Sequence, residues 1–187
     1  WVLERTLSFL AQHRQRLPGQ RFAINLAPST VYRAQFPLEV SRLLAKYAVE
    51  AWQLIFEVTE SSAFGHADLA ASTLRKLQKM GIRIAIDDFG TGYASYARLK
   101  SVDADILKID GGFIRNIVSN SLDYQIVASI CHLARMKKML VVAEYVETEE
   151  IRSAVHALGI DYVQGYLIGL PAELDTLLDT EPSQESA

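Results

Sequence analysis

Apolar positions recur along this chain with two alternating periods. Short, β-branched runs of six or seven residues appear at RFAINL, QLIFEVT, RIAIDD, DILKID, MLVVAEY and DYVQGY. Each is too short for a core helix, and several lack polar alternation, which is how strands buried on both faces read. Between them the period changes to that of a helix over Pro37 to Tyr47, Ala67 to Met80, Tyr124 to Met136 and Thr148 to Leu158, with a shorter stretch over Tyr96 to Lys100. Val2 to His13 forms another helical pattern before the first run, with Leu3, Leu7 and Leu10 on one face. Gly81 closes RKLQKM, whose Lys76 and Lys79 suit the carbonyl end of a helix, and Gly159 closes VHAL in the same way. Thr148 precedes an acidic first turn, and Pro37 fits a first helical position. The closing EPSQESA has no periodicity, so residues 1–178 read as one domain and 179–187 as a disordered tail.

Strand and helix thus alternate six times, which predicts a parallel sheet with right-handed crossovers. The ends of the apolar runs carry Asn25, Glu57, Asp87 with Asp88, Lys108 with Asp110, Glu144, and Gln164. In a (β/α)8 barrel all strand ends converge on one face, where active sites are built. An open sheet gathers its site at a switch point and would not recruit every strand. The pattern favours an α/β fold of the TIM-barrel type, incomplete here: six strand–helix units, with about two strands expected before Trp1. The start at Trp1, with neither initiator Met nor signal peptide, fits a piece of something longer.

Composition narrows the chemistry. With 19 basic and 22 acidic residues among 187, the net charge of −3 leaves no electrostatic footprint for a nucleic-acid polymer. A phosphate-bearing substrate would need a local source of positive charge, such as a metal. No apolar run approaches the roughly 20 residues that span a bilayer. Cys131, the one cysteine, lies in a helical apolar run and reads as core. His13, His66, His132 and His156 show no metal-ligand spacing, and no Ser-His-Asp pattern is visible. DFG and GTGY lack the companion motifs of kinases and P-loops.

What remains is rich in oxygen. FEVTE sets Glu57 and Glu60 about a strand-to-loop transition, and AEYVE repeats the pattern with Glu144 and Glu147. AIDDFGTGY places two adjacent carboxylates after a buried strand, unfavourable unless a cation neutralises them. Lys108 lies within an apolar run and needs an anionic partner, with Asp110 two residues on and facing the same way. Amides, carboxylates and one ammonium suit a hard cation such as Mg²⁺ or Mn²⁺.

In NLAPS, FEVTES, IAIDDFGTGYASYARLK, ILKID, VVAEYVET and DYVQGYLIGLP, in this order, the chain from about Trp1 to Pro171 resembles the EAL-domain family of cyclic di-GMP phosphodiesterases. The resemblance implies metal-dependent hydrolysis of one phosphodiester bond of cyclic di-GMP to give linear pGpG, in bacterial second-messenger signalling. By position it implies Asn25, Glu57 and Asp87 as metal ligands, Asp87 bridging two ions and Asp88 serving the second. Lys108 would orient the attacking water. Glu144 would be either a general base or a partner of the second metal's water, and Gln164 a water- or metal-contacting amide. Glu60 would anchor the DFGTGY loop, through which a homodimer is implied, with Asp110 and Glu147 in support. A cytoplasmic domain is implied, compatible with a membrane-anchored parent.

The chain departs from the family pattern in three places. No Glu-Ala-Leu triplet occurs, and the matching region would lie before Trp1. Tyr145 stands where the family usually carries glycine, and Leu170 where it often carries a basic residue. A non-catalytic cyclic di-GMP receptor or interaction module is the competing reading, and a third is another Mg²⁺-dependent barrel enzyme. The isolated 187-residue segment is expected to turn over weakly or not at all.

Overall fold

A computed structural model describes residues 1–65, 67–90 and 103–178. Six parallel strands form one sheet in the order β1-β2-β3-β4-β5-β6: β1 (Phe22–Asn25), β2 (Leu54–Thr59), β3 (Arg83–Phe89), β4 (Ile106–Ile109), β5 (Leu140–Ala143) and β6 (Tyr162–Val163). Sequential order with every neighbour parallel is the topology of a barrel wall, and helices cover its outer side. These are α1 (Val2–Gln12), α2 (Pro28–Val31), α3 (Phe36–Tyr47), α4 (Glu60–Gly65), α5 (Ala67–Lys79), α6 (Gly111–Ile114), α7 (Ser121–Met136) and α8 (Glu149–Ala157), with single 3₁₀ turns at Ala51–Gln53 and Leu174–Leu178.

Alternation along each strand separates two environments. Leu54, Phe56 and Val58 of β2, Ile84 and Ile86 of β3, and Leu107 and Ile109 of β4 are fully or almost fully buried, packed toward the helices. Ile55, Glu57, Arg83, Ala85, Ile106, Lys108 and Val142 face the other way and line a cavity of about 420 Å³ enclosed by the curve of the sheet. The outer layer holds the fold by apolar burial, and the inner one carries polar groups whose placement follows from a period of two.

The long helices match their apolar stripes, and most element ends fall within a residue or two of the sequence pattern. Helix α7 starts three residues earlier than its periodicity shows. The Asn120 side chain accepts from the backbone N–H of Leu122 and Asp123 at 3.0 and 3.4 Å, a cap that pulls Ser121 into the helix. Thr148 caps α8 in the same manner, accepting from Ile151 N. Two corrections bear on the site. Glu60 does not enter a loop, since it is the first residue of α4, with Thr59 Oγ1 accepting from Ser62 N at 3.4 Å. Gln164 is not inside a strand, because β6 ends at Val163 and Gln164 follows it, exposed. The expected helix over Tyr96 to Lys100, the GTGY segment after Gly90, His66 and the tail 179–187 lie outside the described residues.

Candidate active site

The exits of β2, β3, β4 and β5 bring four predicted residues together. Lys108 Nζ lies 2.7 Å from Asp87 Oδ1, 2.9 Å from Glu144 Oε1 and 3.1 Å from Glu57 Oε2. All four side chains are at most 13% exposed. Residue parity explains the convergence. Glu57, Asp87, Lys108 and Glu144 each follow an inward-facing residue by two positions, Ile55, Ala85, Ile106 and Val142 respectively.

Asp88 should point away from this centre if β3 continued as a regular strand. It does not continue regularly. Ile86 pairs with Leu107 and Phe89 with Ile109, so Asp87 and Asp88 together stand opposite the single residue Lys108. Asp88 takes φ +55°, in the left-handed region. This β-bulge re-aims the second carboxylate, and oxygens of Asp87, Asp88 and Glu144 lie within 4.8 Å of one another.

Electrostatics follow from this geometry. Burial pulls the Lys108 ammonium down, but hydrogen bonds to Asp87 and Glu144 and the charge of Glu57 outweigh it, so its pKa is raised. Burial pushes the Glu57 and Glu144 carboxyls up, and Lys108 only partly offsets that. Asp88 is pushed up by desolvation and by the charges of Asp87 and Asp110. One ammonium thus faces four acids, three of which are held back from ionising. A divalent cation among Asp87, Asp88 and Glu144 would relieve that deficit, and an all-oxygen donor set is what Mg²⁺ or Mn²⁺ takes. The residues fit such an ion.

The remaining predicted residues lie at different distances from the centre. Asn25 ends β1 beside Glu57, its partner in strand register, and is exposed. Gln164 borders the cavity that Glu57 and Lys108 line, and a second cavity of about 210 Å³ shared with Glu144, Tyr145, Glu147, Gly165 and Tyr166. Glu60 is buried at the head of α4. Asp110 is the anionic neighbour that spacing offers to Lys108, two residues on and facing the same way. Instead it caps α6, accepting from Gly112 N at 2.8 Å, and Lys108 finds its partners on three neighbouring strands. Arg21 and Arg83, the latter the first residue of β3, also line the main cavity and did not emerge from the sequence pattern. Arg83 lies two positions before Ala85 and four before Asp87, so its inward aim was there to be read.

The model of the EAL domain family matches residues 1–171. This chain belongs to the EAL domain family. Among curated relatives it is 71% identical to cyclic di-GMP phosphodiesterase PdeF of Escherichia coli K12, over 100% of this chain and 25% of that protein. It is 47% identical to the probable cyclic di-GMP phosphodiesterase PdeA of the same organism, over 92% of this chain and 24% of that protein. The chain therefore spans about a quarter of the length of these relatives. Among solved EAL structures, the PaMucR phosphodiesterase in complex with c-di-GMP aligns with TM-score 0.88 and 37% identity, over 95% of this chain and 72% of that one. The EAL enzyme Bd1971 bound to cAMP and cyclic di-GMP aligns with TM-score 0.89 and 28% identity, over 96% and 50% respectively. Both bear out the TIM-barrel-like fold. Among the described residues, no helix is long and apolar enough to cross a membrane.

Proposed function

We propose that this EAL domain hydrolyses cyclic di-GMP to linear pGpG in a metal-dependent reaction. The observation that carries this reading is the buried cage in which Lys108 meets Glu57, Asp87 and Glu144 within 3.1 Å, with Asp88 turned in beside them. Such an excess of acid repels a phosphodiester unless cations are present, so the site is suited to a phosphate ester only together with metal. The names of PdeF and PdeA and the c-di-GMP complex of PaMucR supply the substrate.

In this reading Asp87, Asp88, Glu57 and Asn25 hold Mg²⁺ or Mn²⁺ in a two-metal site. Bound there, the cations would supply Lewis-acid polarisation of the phosphate and an activated water. Lys108, fixed by three carboxylates, keeps its proton and presents a localised positive charge where phosphate oxygens gain charge. Glu144, which borders the cation site through its cluster with Asp87 and Asp88 and whose burial raises its proton affinity, would accept a proton from the attacking water. Gln164 offers an amide at the cavity edge to orient water or substrate. Glu60, Asp110 and Glu147 support the loops around the cage. A homodimer through the DFGTGY segment, the second half of which lies outside the described residues, and a cytoplasmic setting complete the proposal.

Incubating the full-length protein with cyclic di-GMP and Mg²⁺ or Mn²⁺ tests it. Chromatography should show pGpG as the product and no reaction in EDTA. Binding without hydrolysis in both metals would replace the enzyme with the receptor reading.

A further inference from the structure

Residue 145 immediately follows a carboxylate of the cage and has an unusual backbone. Tyr145 has φ +54°, in the left-handed region that bulky side chains avoid. Glycine would take this turn freely, so something must hold the tyrosine in it. Its ring is fixed on two sides. A Cβ on Gly111 would lie 2.5 Å from Tyr145 Cγ and 2.9 Å from its Cβ, so the ring fills space that glycine leaves open. The Arg115 guanidinium stacks 3.9 Å from the ring centroid.

Gly111 and Arg115 belong to the segment leaving β4, the strand of Lys108, whereas Tyr145 belongs to the segment leaving β5. The ring therefore joins the exits of the two strands whose side chains meet in the 2.9 Å ion pair between Lys108 and Glu144. Backbone bonds secure the flanks of this turn. Glu144 N donates to Ile109 O at 3.3 Å, Val146 N donates to Gln164 O at 3.0 Å, and Leu167 N donates to Val146 O at 3.2 Å. The left-handed turn at Tyr145 stands between those two anchored residues.

We propose that Tyr145 is a positioning residue: clamped between Gly111 and Arg115, its ring holds the turn that aims Glu144 into the acidic cage, and so sets the cage's affinity for a divalent cation. The consequence for catalysis rests on the phosphodiesterase reading, but the consequence for cation binding does not. Residues 111 and 145 are also sterically coupled, because a side chain at one position excludes the ring at the other.

The test is calorimetric titration of the full-length protein with Mn²⁺, alongside steady-state hydrolysis of cyclic di-GMP. Tyr145→Phe keeps the ring and should bind Mn²⁺ within about 2-fold of wild type. Tyr145→Ala and Gly111→Ala should each weaken it by about 10-fold or more, as loss of supporting contacts to metal ligands does. In a Tyr145→Gly background, Gly111→Ala should cost nothing further. Turnover of Tyr145→Ala should fall in kcat with KM for cyclic di-GMP unmoved. Equal Mn²⁺ affinity in wild type and Tyr145→Ala overturns the clamp, as does an equal cost of Gly111→Ala in both backgrounds. If wild type binds Mn²⁺ without hydrolysing the nucleotide, the phosphodiesterase reading fails while the Mn²⁺ comparison still decides the clamp.

Discussion

Lys108 Nζ donates to Asp87 Oδ1 across 2.7 Å from the adjoining strand, inside a site where both side chains are at most 13% exposed. Two further carboxylates share the same ammonium, so it is the counter-charge for most of the cage. Lys108→Met keeps the apolar stem and removes that charge. In EDTA the variant should lose roughly 3 kcal/mol of stability, the low end for a broken buried ion pair, because the stranded acids can take up protons. Saturating Mg²⁺ should return much of that loss, while hydrolysis falls by about 100-fold or more. Chemical denaturation with and without metal reads the first effect. A variant as stable as wild type in EDTA would show that Lys108 does not balance the cage.

The raised carboxyls of Glu57, Asp88 and Glu144 make a pH prediction with a definite sign. A group whose folded pKa is above its unfolded value holds more protons in the native state across that interval. Its contribution to stability is complete below the unfolded pKa and is lost as pH rises through the folded one. For these acids the window opens near pH 4, the ordinary carboxylate value, and extends upward. The raised Lys108 pKa loses its contribution above about pH 10.5 and leaves the neutral range untouched. Metal-free protein should therefore give up stability from this site as pH rises from about 4 toward neutrality, and a cation should reverse it. The rise in melting temperature produced by Mg²⁺ should be larger at pH 7.5 than at pH 5. A shift that shrinks with rising pH would contradict the raised carboxyls.

Asp88 separates stability from metal binding. Its φ of +55° is the conformation glycine takes without penalty, and its charge is opposed by Asp87 and Asp110. Asp88→Gly removes a repelled acid and relaxes the backbone, so metal-free stability should hold or rise by up to about 1 kcal/mol. Mn²⁺ affinity should nevertheless fall by at least about 10-fold. Asp88→Val keeps neither property: a β-branched residue in this turn should cost roughly 1–3 kcal/mol. Thermal unfolding in EDTA and Mn²⁺ titration together check both directions.

Much of this architecture was legible in the sequence because period is a local property. Runs such as QLIFEVT and RIAIDD state both that a strand exists and which residues share its inner face, so the meeting of Glu57, Asp87, Lys108 and Glu144 follows from parity once a parallel sheet is accepted. The bulge at Asp88 was not legible, because it depends on pairing between β3 and β4 rather than on either run alone. Short helices such as Glu60–Gly65 and Gly111–Ile114 are too brief to show a period. The partners of Lys108 illustrate the same boundary. Spacing within one run singled out Asp110, whereas register across strands delivered Glu57, Asp87 and Glu144.

That reassignment of Asp110 can be measured. Its carboxylate accepts from Gly112 N at 2.8 Å and caps the short helix that carries Gly111 and leads to Arg115. Asparagine caps about as well as aspartate, so Asp110→Asn should stay within about 0.5 kcal/mol of wild type, whereas Asp110→Ala should lose about 1 kcal/mol. A negative charge needed by Lys108 would instead make Asn and Ala equally damaging. The Asn variant also removes one of the charges that hold the Asp88 carboxyl up. Mn²⁺ binding by Asp110→Asn should accordingly lose less affinity at acidic pH than at neutral pH, since Asp88 then gives up its proton more readily. Denaturation of both variants, with Mn²⁺ titrations of the Asn variant at two pH values, decides between a capping role and a charge-pairing one.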